Sequence, residues 1–189
     1  MVDGNETERL DDTELIRRAI GGESSAFGIL YDRYRPKIYR FIYLKVSHRE
    51  EAEDLTHHVF LSAWKNLPSF RPQGLPITSW LYRIARNRVI DHYRTRKRLV
   101  SLDSVPEEVL GIAESDTSQS LINRMELERV WKVLGSLSQD QQDVLILRFV
   151  EDLSYPQIAE VVGKSQGAVR VIQHRALKAI RDLLSTQQS

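Results

Sequence analysis

The sequence predicts an all-α protein: two small helical domains joined by a flexible acidic linker, the second containing a helix-turn-helix. Three observations carry this. Apolar residues recur at helical spacing through long stretches, and β-type alternation bounded by turn pairs is missing. A Ser-, Asp- and Glu-rich segment, Ser101 to Gln119, holds Pro106 and Gly111 and separates two such stretches. Near the C-terminus a short and a long helical pattern flank the turn around Gly163. The expected organisation is a disordered acidic N-terminus (1–12), a first domain (13–99), the linker (100–119) and a second domain (120–185).

Taken in order, a first helix is expected from Thr13 to Ile20, stopped by Gly21-Gly22. A second covers about Ser24 to Val46. Its apolar face is Phe27, Leu30, Tyr31, Tyr34, Ile38, Phe41, Ile42 and Leu44, and Pro36 inside it predicts a kink or break. Ser47-His48-Arg49-Glu50 reads as a capping box opening a third helix, with Ala52, Leu55, Val59, Phe60, Ala63, Trp64 and Leu67 as its apolar stripe. Pro68 to Pro76 is a loop, and a fourth helix runs from about Thr78 to Arg98. Beyond the linker, helices are expected at about Ser120–Leu134, Gln139–Val150, Tyr155–Val162 and Gln166–Leu184. Ser138 with Gln141, and Ser154 with Gln157, supply two more capping boxes.

Composition narrows the function classes. The chain of 189 residues has no cysteine, which excludes a disulfide framework and thiolate metal sites and fits a reducing cytoplasm. No apolar run approaches the roughly 20 residues of a membrane span, so no membrane insertion is expected. The start, MVDGNETERLDD, is acidic and polar, unlike a signal peptide, and the expected location is cytoplasmic. The net charge of +1 points to no partner, but its distribution does. Arg71 to Arg98 holds eight basic residues and one acid, Asp103 to Ser120 holds five acids and no base, and Lys164 to Leu184 is mainly basic again. Two basic blocks around an acidic segment suggest two surfaces for a polyanion; solvated helix faces are the bland alternative.

The C-terminal pattern is the most specific. Ile158, Ala159 and Val162 are the apolar positions of the short helix, Gly163 permits a left-handed turn, and Ser165 can cap the long helix. This is a helix-turn-helix, whose second helix enters the DNA major groove. On that helix Val169, Ile172, Ala176, Ile180 and Leu183 share one face. Arg170, His174, Lys178 and Arg181 lie opposite, flanked by Val171 and Arg175. The N-terminal members are placed for base edges, Lys178 and Arg181 for phosphates. The competing reading is an amphipathic hairpin in a helical bundle.

The fourth helix buries Ile77, Trp80, Leu81, Ile84, Ala85 and Val89, while Arg83, Arg86, Asn87, Arg94 and Lys97 gather on its other side. An amide beside arginines, after a loop carrying Phe70 and Arg71, suits unstacked single-stranded bases; Tyr82 and Tyr93 are half-buried packing residues that could also stack. Five histidines form no metal set, because adjacent His57 and His58 point about 100° apart on a helix and no second cluster completes a tetrahedron. No nucleophile elbow or phosphate-binding glycine loop appears, so neither an enzyme nor a cofactor is expected.

Three segments, DLTHHVFLSAW (Asp54–Trp64), SFRPQGLPITSWLYRIARNRVIDHYR (Ser69–Arg94) and LSQDQQDVLILRFVEDLSYPQIAEVVGKSQGAVRVIQHRALKAIR (Leu137–Arg181), resemble the conserved segments of bacterial extracytoplasmic-function sigma factors. The resemblance covers about Thr13 to Leu184. It implies a protein that binds core RNA polymerase through the β′ clamp coiled coil and the β flap. It implies capture of melted minus-ten bases by the first domain and reading of the duplex minus-thirty-five element by the second. It also implies an anti-sigma factor as partner. Carried over by position, Asp54, Leu55, His58, Phe60 and Trp64 fall in the polymerase-binding helix. Ser69, Phe70, Arg71, Arg83, Arg86, Asn87 and Arg94 fall at minus-ten positions, with Asn87 where a flipped base is held. Ser165, Arg170, Val171, His174, Arg175 and Lys178 fall at upstream-element positions. The sequence departs from the family at His57-His58, where Gln and an acid are usual, and at Val171-Ile172-Gln173, which replaces a polar-basic run. A repressor or response-regulator output module with the same motif is the alternative, and would bind duplex DNA without polymerase.

Overall fold

The structure is a computed structural model that describes residues 11–71, 74–100 and 118–186. Most of the expected acidic N-terminus and of the linker lies outside them. The described residues form eight α-helices and no strand. The N-terminal half holds α1 (Asp12–Ile20), α2 (Ser24–Val46), α3 (Arg49–Asn66) and α4 (Ile77–Val100), with a 3₁₀ turn at Leu67–Ser69. The C-terminal half holds α5 (Ser118–Gly135), α6 (Gln139–Leu145), α7 (Tyr155–Val162) and α8 (Gln166–Thr186), with a π-helical turn at Ile146–Val150.

The N-terminal core forms where the stripes of α2, α3 and α4 meet. Leu30, Ile38, Phe41, Ile42, Ala52, Val59, Ala63, Leu81, Ala85 and Val89 are all at most 2% exposed. Each large apolar side chain removed from water contributes roughly 1.5–3 kcal/mol before entropy is counted. α1 is tied on by Asp12, which accepts from Arg33 at 2.6 Å and from the Tyr34 hydroxyl. α4 is tied to α3 by His92 Nε2 against Glu51 Oε2 at 3.0 Å.

Pro36 does not break its helix: α2 is continuous from Ser24 to Val46. Proline removes one hydrogen bond, to the carbonyl four residues back. Here that residue, Asp32, is exposed like Pro36 itself, so water can serve the carbonyl, while buried Tyr34 and Ile38 hold both sides of the break point. The expected capping box at Ser47 does not form either. Ser47 takes the left-handed conformation (φ 55°) that closes α2, its N–H donating to the Tyr43 carbonyl at 2.9 Å, and its hydroxyl donates back to Val46. His48 becomes the residue before α3, without a side-chain cap.

Around the C-terminal core, Val144, Ile146, Leu147, Ile158, Val161, Val169 and Ala176 are at most 2% exposed. Ser138 and Gln141 do form a capping box, with the Gln141 N–H on Ser138 Oγ at 3.4 Å and the Ser138 N–H on Gln141 Oε1 at 2.9 Å. Gln157 likewise accepts from the Ser154 N–H at 2.7 Å. One expected helix, Gln139–Val150, is instead α6 running into the π turn. There the Glu151 N–H reaches the Ile146 carbonyl, five residues back, at 3.0 Å. Such widened turns recur at functional positions, and this one delivers Glu151 to the other half of the molecule.

Candidate nucleic-acid interface

The helix-turn-helix is built from local chemistry. Pro156 sits in the first turn of α7, where its missing N–H costs nothing. Gly163 ends α7 at φ 66°, a left-handed conformation that a Cβ would strain, and its N–H closes on the Ala159 carbonyl. Ser165 Oγ then accepts from the Ala168 N–H at 3.2 Å, satisfying an orphan donor of α8. The turn sets α8 across α7, with Val169 and Ala176 fully buried and Ile172 and Ile180 packed against the core. The opposite face of α8 presents Arg170, Val171, His174, Arg175 and Lys178, all exposed; Val171 is 49% exposed. The Arg170 guanidinium lies 4.8 Å from the Tyr155 ring, and the Arg148 guanidinium 5.1 Å from the same ring, so one aromatic side chain orients two cations.

The second basic surface, on α4, differs. Asn87 and Arg94 are exposed, Arg94 pairing with Asp91 at 3.0 Å one turn away. Arg86 and Arg83 are held by acids of the C-terminal half. Arg86 Nε donates to Asp143 Oδ2 at 2.7 Å and its Nη2 to Asp140 Oδ1 at 2.8 Å; Arg83 Nη1 donates to Glu160 Oε1 at 2.8 Å. Asp143 also takes the Lys45 ammonium, and both of those side chains are 0% exposed. Burial pushes the Lys45 ammonium below the usual lysine range, and Asp143 opposes that push. Next to this cluster Arg40 clasps Glu151 through two bonds of 2.7 and 2.8 Å, and the Tyr82 hydroxyl donates to Glu151 at 2.6 Å. Tyr82 is 1% exposed, so it is core and cannot meet a base from here. Tyr93 donates to the Lys45 carbonyl.

Ahead of α4, Ser69, Phe70, Arg71, Ser79, Trp80 and Arg83 line a cavity of about 300 Å³ that Glu160 borders from the other half. Phe70 is 8% exposed, with its ring 4.9 Å from Trp80, so it is a wall of the cavity and not a protruding wedge. Ser69 Oγ donates to the Asn66 carbonyl and Arg71 to the carbonyls of Pro68 and Phe70, contacts that shape the loop. Ser79 is buried, and its hydroxyl has no hydrogen-bond partner among the described residues.

On α3, Asp54, His57, His58, Leu61 and Trp64 are exposed, Trp64 resting on Phe27 at 4.8 Å. Leu55 is half-buried. Phe60 is 3% exposed and packs on Tyr31 at 4.8 Å, so it supports this face from beneath and presents nothing to a partner. Leu61, 42% exposed and in line with Asp54, His57 and Trp64, was missing from the sequence-predicted set because it breaks the apolar stripe. Asp140, Asp143, Glu151 and Glu160 were missing for another reason: their partners in the N-terminal half lie 54 to 111 residues away in the chain.

Two helical domains, one with a basic helix beside a cavity and one with a helix-turn-helix, define a DNA-binding protein. The chain matches Sigma-70 region 2 over residues 30–99 and Sigma-70, region 4 over residues 133–182. It is 36% identical to the ECF RNA polymerase sigma factor BldN of Streptomyces coelicolor, over 90% of this chain and 65% of BldN. It is 33% identical to the ECF RNA polymerase sigma factor SigD of Mycobacterium tuberculosis, over 93% of this chain and 84% of SigD. Among solved structures it resembles CnrH in complex with the cytosolic domain of CnrY (TM-score 0.73, 27% identity, 93% of this chain and 97% of that one). It also resembles the sigma factor RpoE in complex with the anti-sigma factor NepR from Bartonella quintana (TM-score 0.67, 27% identity, 84% and 96%). The chain belongs to the extracytoplasmic-function sigma factors of the sigma-70 family, whose general role is promoter-directed transcription initiation.

Proposed function

We propose that this sigma factor joins core RNA polymerase in the cytoplasm and reads a promoter at two sites, melting it through the N-terminal domain and anchoring upstream through the C-terminal one. The observation that carries this reading is the α8 face: a capped, rigid helix of a helix-turn-helix with its cations exposed and its apolar side buried. Arg170 and Arg175 suit guanine edges, Val171 a thymine methyl, and Lys178 a phosphate. On α4, Asn87 hydrogen-bonds a base taken out of the stack, Arg83, Arg86 and Arg94 hold the strand, and the cavity behind Ser69, Phe70 and Arg71 admits an extruded base. Asp54, Leu55, His58 and Trp64 engage the β′ coiled coil, over the support of Phe60, and the C-terminal domain docks on the β flap. An anti-sigma factor covering these polymerase-facing surfaces would control the chain, a reading supported by the structural likeness to sigma factors in complex with such partners.

Purified protein with core polymerase should give promoter-specific run-off transcripts from a random promoter library. Tight duplex binding by the chain alone, with no binding to core enzyme, would overturn the reading in favour of a conventional repressor. Asn87→Ala should weaken open-complex formation by about 1–3 kcal/mol while leaving core binding intact. Loss of both would make Asn87 structural.

A further inference from the structure

The guanidinium assigned above to a guanine edge does not stand alone. Arg170 is exposed on α8, and no carboxylate among the described residues pairs with it. Its guanidinium rests instead 4.8 Å from the centre of the Tyr155 ring. Tyr155 is half-buried, packs against the core and occupies the first position of α7. Its backbone is fixed from both sides. Before it, the Ser154 N–H and hydroxyl both donate to Gln157 Oε1 at 2.7 Å. After it stands Pro156, whose own ring locks the backbone. A second cation, Arg148 of the π turn, lies 5.1 Å from the centre of the Tyr155 ring. Arg148 is half-buried, and its Nη1 donates to the Leu153 carbonyl at 2.8 Å; the Leu153 N–H in turn donates to the Leu147 carbonyl at 2.9 Å. The side chains form a relay running outward. A backbone carbonyl holds Arg148, Arg148 and the core hold the ring, and the ring holds Arg170.

We propose that Tyr155 and Arg148 are positioning residues for base reading by Arg170: the ring, braced from behind by Arg148, holds the Arg170 guanidinium at its reading angle before DNA arrives. The proposal rests on the reading of Arg170 as a base contact. Its physical basis is preorganisation. Bidentate pairing with a guanine edge needs the planar guanidinium fork at one orientation, and a free exposed arginine samples many rotamers. An aromatic face attracts the cation and stacks on its plane, so less freedom is lost when the base is met. A phosphate is a weaker constraint, because it carries no sequence information and accepts a cation from many directions. The relay therefore serves discrimination between bases more than overall affinity.

The test uses holoenzyme assembled from core polymerase and the full chain, with promoter duplexes carrying each base in turn at every upstream-element position. Arg170→Ala first finds the position that Arg170 reads. There, Tyr155→Leu should reduce base preference by about two- to fivefold, the conversion of an exposed cation–π contact of roughly 0.5–1 kcal/mol. Tyr155→Phe keeps the ring and should keep the preference. In the Arg170→Ala background, Tyr155→Leu should change preference no further. Arg148→Gln leaves the ring and its packing in place; it should shift preference in the same direction by less, and it carries the test if Tyr155→Leu does not fold. The proposal is overturned if Tyr155→Leu weakens binding to every sequence equally, as a merely structural role would. It is equally overturned if Tyr155→Phe behaves like Tyr155→Leu, if Tyr155→Leu still acts without Arg170, or if Arg148→Gln leaves preference unchanged. An intact Arg170 preference alongside any of these results sinks the relay and leaves the base-reading role of Arg170 standing. If Arg170→Ala itself alters no preference, that role falls and the relay with it.

Discussion

The two basic helices, α4 and α8, look alike in sequence and differ in availability. Each carries an apolar stripe on one side and a run of cations on the other. On α8 those cations are exposed, and Arg170 rests on the Tyr155 ring in open reach. On α4 the central pair, Arg83 and Arg86, is bonded to three carboxylates from the other half. The contrast teaches that a basic face is a binding surface only after the acids of the same chain have been accounted for. With 27 basic and 26 acidic side chains, this protein can neutralise most of its own surface.

Breaking the covered side should have the largest effect. Asp143→Ala leaves Lys45 and Arg86 together without their shared, fully buried carboxylate, and should lower stability in urea by about 3–5 kcal/mol. Lys45→Met/Asp143→Leu, which removes the buried charge pair and keeps apolar volume, should recover most of that loss. A single-variant loss below roughly 1 kcal/mol, the range of exposed pairs, would mean that water reaches the cluster.

The open side should respond in the opposite currency. Arg170→Ala should leave urea stability within about 0.5 kcal/mol, as for an exposed surface site. Upstream-element binding by the holoenzyme should fall by about 1–3 kcal/mol, with base preference relaxed at one position. Uniform weakening over all sequences would reassign Arg170 to a phosphate.

The smallest effect sharpens what holds the open face in place. Ser165→Ala removes the acceptor of the Ala168 N–H and should cost about 1 kcal/mol in the same urea melts. Because α4 has no part in that cap, affinity of the free protein for single-stranded DNA should not change.

Legibility in the sequence follows the range of the interaction. The turn at Gly163, the cap at Ser165 and the box at Ser138 and Gln141 were readable because every partner lies within a few residues. The same local logic failed at Ser47, where closing α2 in a left-handed turn competed with capping α3 and won. It failed at Pro36, where buried neighbours on both sides carried α2 through a residue that would end an isolated helix. It split the expected Gln139–Val150 helix, because periodicity does not register one widened turn. Apolarity alone could not separate Phe60, sealed against Tyr31, from Trp64, which stays 38% exposed.

By itself the sequence determined the all-α class, the positions of the helices, the helix-turn-helix and the order of residues around α8, since these depend on helical periodicity and on caps three or four residues apart. Only the tertiary structure decided which cations are free. Whether Arg86 faces solvent or Asp143 depends on where residues 57 apart come to rest, and Lys45 meets that same carboxylate from 98 residues away. Charge patterning along a chain carries no register between distant elements. Packing supplies that register, and here it set the carboxylates of one half on the basic helix of the other.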